Sequence, residues 1–427
     1  MLGGLGGSAT WYSGVYENEY VLENGSWKIS VLRSEPKATA AYTAAGWKDS
    51  GTRVPFHYTP ESIAASISGA PIKANGVTSS FESLAKRVND LGPRAERLSD
   101  QAAVTNLLDT YGYAMDRKLW DQAAGLFAND GTMELGLQGV YVGKARIRRG
   151  FNRFGPEGLR EGERNDHVYL QTLVTVTGAR AKARGVELIM SSASGGELSE
   201  GTFENTFVKQ DGAWKIQSVH FYPRMIVDAA TGWAKSAKPA PGPSKEFPPD
   251  RPPTTSYEIY PKFAVAPFHF DNPVTGKPPQ YPAGVVSTKS TGPAQIFSFA
   301  AVRDAKDMEY RVTEAERSLA EAEAYEIAEN LINAHGYGLD DSRAADGTSI
   351  FVNQILQPVI DVARDAKSAK IRARSLNLGG TSGGPGYWTA GTLEGQIILE
   401  RGAWKFQTSR SSTEWFAPYP GGWGRIP

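Results

Sequence analysis

The chain contains no cysteine. Disulfides, thiolate nucleophiles and cysteine-ligated metals are therefore excluded. Histidine is scarce, with five in 427 residues, so each imidazole counts in any reading of chemistry. Net charge is absent as well: 46 Lys and Arg balance 46 Asp and Glu. That balance gives no support for a nucleic-acid partner or an anionic membrane surface. No run approaches the ~20 apolar residues that a helix needs to cross a bilayer. No charged segment followed by an apolar core opens the chain, so no signal peptide is legible. Met1 lies only a few residues before the first repeat strand, which suggests a truncated start. The expected location is thus periplasmic or secreted if a leader was lost there, and cytoplasmic otherwise. Gly-rich phosphate loops, HExxH and GxSxG motifs are all missing.

What is present is a short pattern written three times. Gly14-Val15-Tyr16-Glu17 leads into Gly25-Ser26-Trp27-Lys28-Ile29, Gly201-Thr202-Phe203-Glu204 into Gly212-Ala213-Trp214-Lys215-Ile216, and Gly391-Thr392-Leu393-Glu394 into Gly402-Ala403-Trp404-Lys405-Phe406. Each ends on a Gly-Trp pair: Gly46-Trp47, Gly232-Trp233 and Gly422-Trp423. Such spacing defines repeated supersecondary units. It divides the chain into a C-terminal half-copy at 1–47, a linker at 48–77, a complete copy at 78–233, a Pro-rich linker at 234–299 and a degenerate copy at 300–427. Both linkers carry a Pro-Phe-His motif, at Pro55-Phe56-His57 and Pro267-Phe268-His269, which is expected to dock on a neighbouring domain.

In the complete copy the spacing of Val104, Leu107, Leu108, Tyr111 and Met115 predicts a helix over 96–117, with Ser99 and Asp100 as caps. A second helix is expected at 119–128, a turn at Asn129-Asp130-Gly131, and short strands at 132–137 and 139–142. A helix at 144–154 follows, then four long strands at 167–177, 180–191, 200–210 and 213–222. The result is an α+β arrangement, a curved antiparallel sheet wrapped around helices in a cone. In the degenerate copy, Asp340 and Asn353 parallel Asp116 and His167. The 51 residues that separate the latter pair shrink to 13, which leaves almost no room for the second helix, first hairpin and third helix.

Tyr111, Asp116, Leu126-Phe127, Asp130-Gly131, Gly143, His167 and the Gly212-Ala213-Trp214-Lys215-Ile216 strand resemble the SnoaL-like branch of the NTF2-like superfamily, of the scytalone dehydratase type. The resemblance covers about 96–225. It implies a conical fold with a deep apolar pocket, frequent dimers and, in most members, no cofactor. Family activities include aldol cyclisation, dehydration, isomerisation and epoxide hydrolysis, while other members only bind or assemble.

Five residues are candidates for chemistry. Asp116 ends the first helix, where the dipole and partial burial raise its basicity; it could equally accept hydrogen bonds from the following turn. His167 opens the first long strand, and the resemblance places a pocket histidine there. His220 is expected to point inward, because Trp214, Ile216, Ser218, His220 and Tyr222 share a face by period two. Tyr111 and Tyr113 supply hydroxyls for a substrate oxygen. Asp116, His167 and His220 could also converge as metal ligands, but no ligand spacing supports this and no metal is assigned. Glu204, repeated as Glu17 and Glu394, suggests a structural cross-strand pair with the repeat lysine. Two functions follow. One is a cofactor-independent lyase or isomerase acting on a small, largely apolar hydroxylated or carbonyl compound. The other is a non-catalytic binding or assembly protein, as a homodimer or through intramolecular pairing of copies.

Overall fold

The structure is a computed structural model and describes residues 2–3, 9–42, 48–49, 57–59, 62, 80–192, 195–285, 302–343, 349–381 and 385–419. Gly46-Trp47, Pro55-Phe56 and Gly422-Trp423 lie outside the described residues, as do most of linker 48–77 and residues 286–299.

The N-terminal segment forms six short strands: β1 (Leu2–Gly3), β2 (Thr10–Tyr16), β3 (Glu19–Glu23), β4 (Ser26–Val31), β5 (Ser34–Ala41) and β6 (Lys48–Asp49). The central domain follows with α1 (Phe81–Asp116), α2 (Trp120–Gly125), β7 (Phe127–Leu135), β8 (Val140–Val142), α3 (Lys144–Phe151), β9 (Asn165–Thr177), β10 (Arg180–Ser191), β11 (Glu197–Gln210) and β12 (Ala213–Asp228). The C-terminal domain contains α4 (Ala305–Arg343), β13 (Ser349–Val362), β14 (Ser368–Thr381), β15 (Gly386–Glu400) and β16 (Ala403–Tyr419).

Helices and sheets segregate as expected for an α+β protein. The central sheet has the order β8-β7-β12-β11-β10-β9, and the C-terminal sheet β13-β14-β15-β16. The central sheet is mixed, because β7 runs parallel to β12. In the C-terminal domain the next described element after α4 is the first strand of the four-stranded meander, with no further helix or hairpin among the described residues between them.

Several boundaries differ from the sequence reading. α1 starts at Phe81 behind the cap Ser80, whose side chain accepts from Ser83 N. Asp100 is therefore not a cap. It is a buried residue in mid-helix that accepts from Trp214 Nε1 and Lys209 Nζ, both at 2.8 Å. The first fifteen residues of α1 carry Phe81, Leu84, Val88 and Leu91 at helical spacing, a stripe that the expected start at 96 leaves out; Phe81, Leu84 and Leu91 stay exposed, and α1 packs along α4. Asn129-Asp130-Gly131 lies inside β7. A Cβ at Gly131 would meet Ala128 O at 3.0 Å and Ile216 O at 3.2 Å, so a glycine there answers a close backbone approach rather than a chain reversal.

The repeats now have a physical cause. In each, the chain after the tryptophan carries two bulges, on one strand in the central and C-terminal copies and on β4 and β5 in the first. The extra residues are Ser30, Gln217 and Gln407, three positions after Trp27, Trp214 and Trp404. A second set, Lys37, Arg224 and Glu414, falls ten positions after them. The repeat glycines face this second bulge. A Cβ on Gly14 would sit 2.7 Å from Glu35 O, and one on Gly201 2.5 Å from Tyr222 O; Gly391 meets Ser412 O in the same way. Only glycine tolerates a carbonyl that close.

Three apolar cores result among the described residues. One fills the central domain around Trp120, Phe127, Phe151 and Phe203. One lies under α4 around Ile332, Ile371 and Trp404. The third joins all three segments, with the Trp11 ring against Tyr42, Trp233 and Trp388, and Tyr42 against Trp233, at 5.0–5.7 Å. Gly232 admits this cluster: a Cβ there would lie 2.6 Å from the Tyr42 ring. The Pro-rich segment 234–285 is docked chain. Arg251 bridges the edge strand at Val140, and Tyr141 Oη donates to Phe247 O at 2.6 Å. This cover protects the sheet edge from further pairing.

Candidate active site

A cavity of about 550 Å³ lies in the central domain. Tyr111 and Met115 of α1 line one side; His167, Tyr169, Glu187 and Ile189 of β9 and β10 line another. Phe203, Asn205, Val219 and Phe221 close it from β11 and β12, and Arg153 and Arg164 reach it from the loop side.

At its wall His167 Nδ1 lies 2.6 Å from Glu187 Oε1, and both side chains are about nine-tenths buried. With Glu187 ionised, Nδ1 carries the proton it shares, and Nε2 keeps its lone pair. Asn165 Nδ2 donates to that lone pair at 3.2 Å and to Met115 O at 2.9 Å. Burial works against a charge on His167, but the Glu187 hydrogen bond and charge outweigh it and raise the imidazole pKa above its ordinary value. Tyr111 and Tyr169 are buried beside the pair, and burial keeps both hydroxyls protonated.

The backbone of His167 is held by Asp116. Its Oδ1 accepts from His167 N at 2.7 Å, and its other oxygen pairs with Arg374 from β14. Arg374 also reaches Asp166 Oδ1 at 3.2 Å and Gln357 Oε1 at 3.1 Å. Asp116 is therefore a structural acceptor at the contact between the two domains, and it does not line the cavity. Burial pushes its carboxyl up to about 6, with Arg374 acting against that shift. Asp340 does the same work in the C-terminal domain, accepting from Asn353 N at 2.5 Å.

His220 does not point inward. The bulge at Gln217 shifts the alternation by one, so that Val219 and Phe221 take the inner face. His220 is left on the other face. Its ring stacks on Tyr222 with centroids 3.9 Å apart. Glu134 lies 3.7 Å away, but its two oxygens accept from Thr254 N and Oγ1 at 2.7 and 2.8 Å. Burial lowers the His220 pKa to about 4. Tyr113 is also outside the cavity, its hydroxyl donating to Gln357 O at 3.0 Å. Of the five candidates, the structure brings His167 and Tyr111 to the cavity and leaves Asp116, Tyr113 and His220 off its lining. His167 and His220 occupy different faces of the sheet, so the three-ligand metal arrangement does not form from these groups.

Glu204 pairs with Arg184 and, at 2.7 Å, with His269 Nδ1; the repeat lysine Lys215 is not its partner. His57 sits in the same way on Glu17, at 2.8 Å. Each Pro-Phe-His histidine thus docks on its preceding repeat glutamate.

Sequence reasoning missed Glu187, Asn165, Arg153 and Arg164. Glu187 did leave a signal, a lone carboxylate within Gly185-Val186-Glu187-Leu188-Ile189-Met190. The arginines left none, because the 152–164 loop has no periodicity to assign an inside.

The family model of the SnoaL-like domain matches residues 96–220, and that central segment is a SnoaL-like domain. No curated protein matches the chain. Three solved structures illustrate the similarity. A protein of unknown function from Mycobacterium tuberculosis is 22% identical over 29% of this chain and 75% of its own, with a TM-score of 0.26. A Novosphingobium aromaticivorans protein provisionally titled a scytalone dehydratase is 19% identical over 38% of this chain and 97% of its own, with a TM-score of 0.27. An NTF2-like protein with a cystatin-like fold from the same organism is 18% identical over 34% of this chain and 92% of its own, with a TM-score of 0.27.

Proposed function

We propose that the central domain catalyses cofactor-independent proton transfer, as a lyase or isomerase, on a small hydroxylated or carbonyl compound. The observation that carries this reading is the His167–Glu187 pair at 2.6 Å on the cavity wall. Glu187 fixes the tautomer and stabilises the imidazolium. The Nε2 lone pair takes a proton from carbon next to a carbonyl once substrate displaces the Asn165 amide, and His167 returns it to the departing or isomerised position. Tyr111 and Tyr169 donate to the substrate oxygen and offset the charge that develops on it. Asp116 acts here as a positioning residue, through the backbone of His167. The apolar sides given by Phe203, Val219 and Phe221 exclude water and favour a compact carbon skeleton.

A panel of hydroxylated and carbonyl compounds incubated in deuterium oxide tests the reading. The wild type exchanges the proton next to the carbonyl of at least one compound. His167→Gln and Glu187→Gln each lose on the order of 10²–10⁴-fold in that rate. Exchange that survives both substitutions would remove the pair from the chemistry.

The alternative, a binding or assembly protein, is favoured by one observation. Of the three proton-handling groups read from the sequence, only His167 lines the cavity. Ligand binding without exchange anywhere in the panel would select it.

A further inference from the structure

The cavity wall holds more positive charge than its neighbours use. Arg164 is 91% buried by side chain, the complement of its 9% exposure. Its Nε and Nη1 have no hydrogen-bond partner among the described residues. Arg153 is in the same state at Nε and Nη2, with only Tyr141 Oη near its Nη1, at 3.4 Å. Arg153 and Arg164 both line the cavity, and four of their buried guanidinium nitrogens have no acceptor among the described residues, although buried donors are almost always paired.

The acids around them are committed elsewhere, including Glu414, which accepts from Arg117 and from Thr392 Oγ1. Glu187 is engaged by His167, and Glu163 accepts from Lys118 at 3.0 Å. Glu197 is paired with Lys238 at 3.2 Å. Asp166 is bonded to Arg374 and Trp415, and stands 3.9 Å from Arg164 Nη1, beyond hydrogen-bond reach. The arginines are also held in place. Arg164 lies 3.8 Å above the Trp415 ring, supplied by β16 of the C-terminal domain. Arg153 lies over the rings of Phe154 and Tyr141, at 4.7 and 5.2 Å. Burial draws both guanidinium groups down from their ordinary pKa, and an anion in the cavity would offset that cost.

We infer that the ligand of this cavity is an organic carboxylate, held through the guanidinium groups of Arg153 and Arg164. The inference rests on the cavity being the working site, as proposed above, and replaces the largely apolar compound expected from the sequence with an amphipathic acid. The carboxylate lies against the two arginines, and the carbon skeleton extends along Phe203, Val219 and Phe221 towards His167. The C-terminal domain then has a direct part in recognition, because Trp415 orients Arg164.

Calorimetric titration of the full chain with benzoate, cinnamate, 2-naphthoate and octanoate, each beside its carboxamide, tests this. At least one acid binds about tenfold or more tightly than its amide, a charge-assisted preference. The preference collapses in Arg153→Gln and Arg164→Gln and partly returns in Arg164→Lys, with melting curves reporting that the variants fold. His167→Gln keeps the preference, so loss of proton transfer and loss of anion recognition are separable. If no acid exceeds its amide, or if the preference survives in both glutamine variants, the inference is overturned.

Discussion

Arg374 and Asp116, 258 positions apart, form a buried ion pair that fastens the C-terminal sheet to the end of the central helix. The same guanidinium serves Asp166 and Gln357, and the same carboxylate holds the strand that carries His167. The site is therefore positioned by the neighbouring domain. Removing one partner of a buried pair leaves the other uncompensated. Arg374→Met is expected to lose about 3–5 kcal/mol of stability. In the Arg374→Met, Asp116→Asn double variant the loss is smaller than the sum of the single losses, as measured by denaturant unfolding in a double-mutant cycle.

Gly112 of α1 lies against both β13 and β9, through Gln357 and Tyr169. A Cβ there would lie 2.6 Å from Gln357 Nε2 and 3.0 Å from the Tyr169 ring. Alanine is favoured over glycine inside a helix by roughly 1 kcal/mol, while overpacking costs about 1–3 kcal/mol. Gly112→Ala is expected to melt lower than wild type. Gly338→Ala, in α4 with nothing within 4 Å of the added carbon, is expected to melt slightly higher. Equal shifts in the two variants would show that the domains do not meet there.

His220 predicts an acid limb in stability. In the unfolded chain its imidazole binds a proton near its ordinary value of 6.5, and in the folded protein only near 4. The unfolded state therefore gains protons first as pH falls, and stability is lost between about pH 6.5 and 4. The loss attributable to this group is roughly 3 kcal/mol. His220→Phe retains an aromatic face against Tyr222 and should flatten that part of the profile in denaturant melts from pH 7 to 4.5. An identical acid limb in both proteins would assign it to other groups.

The architecture was legible because the repeats mark it. Gly201, Trp214 and Lys215 and their counterparts fixed the hairpins, and the stripe from Val104 to Met115 fixed the buried part of α1. The inward face of β12 was misread because period-two reasoning assumes an unbroken pleat. Gln217 breaks it, and nothing in a glutamine announces a bulge; only the threefold recurrence of the motif hints that the break is built in. The site was half legible for a similar reason. His167 and Tyr111 stand on regular elements whose faces can be counted. Glu187 meets His167 diagonally across two strands, and Arg153 and Arg164 sit on a loop. Those encounters are set by tertiary packing rather than by local pattern.

The central claim is that Glu187 holds a proton on His167 at the cavity wall. Long-range ¹⁵N–¹H correlation spectra of the five histidines across pH, in wild type and Glu187→Gln, test it most directly. The account predicts that His167 carries its proton on Nδ1 when neutral and titrates above 6.5 in wild type. In Glu187→Gln burial and the Arg374 charge are opposed only by Asp116, and the pKa falls. A His167 that titrates identically in both proteins, or that is protonated on Nε2 when neutral, would contradict it.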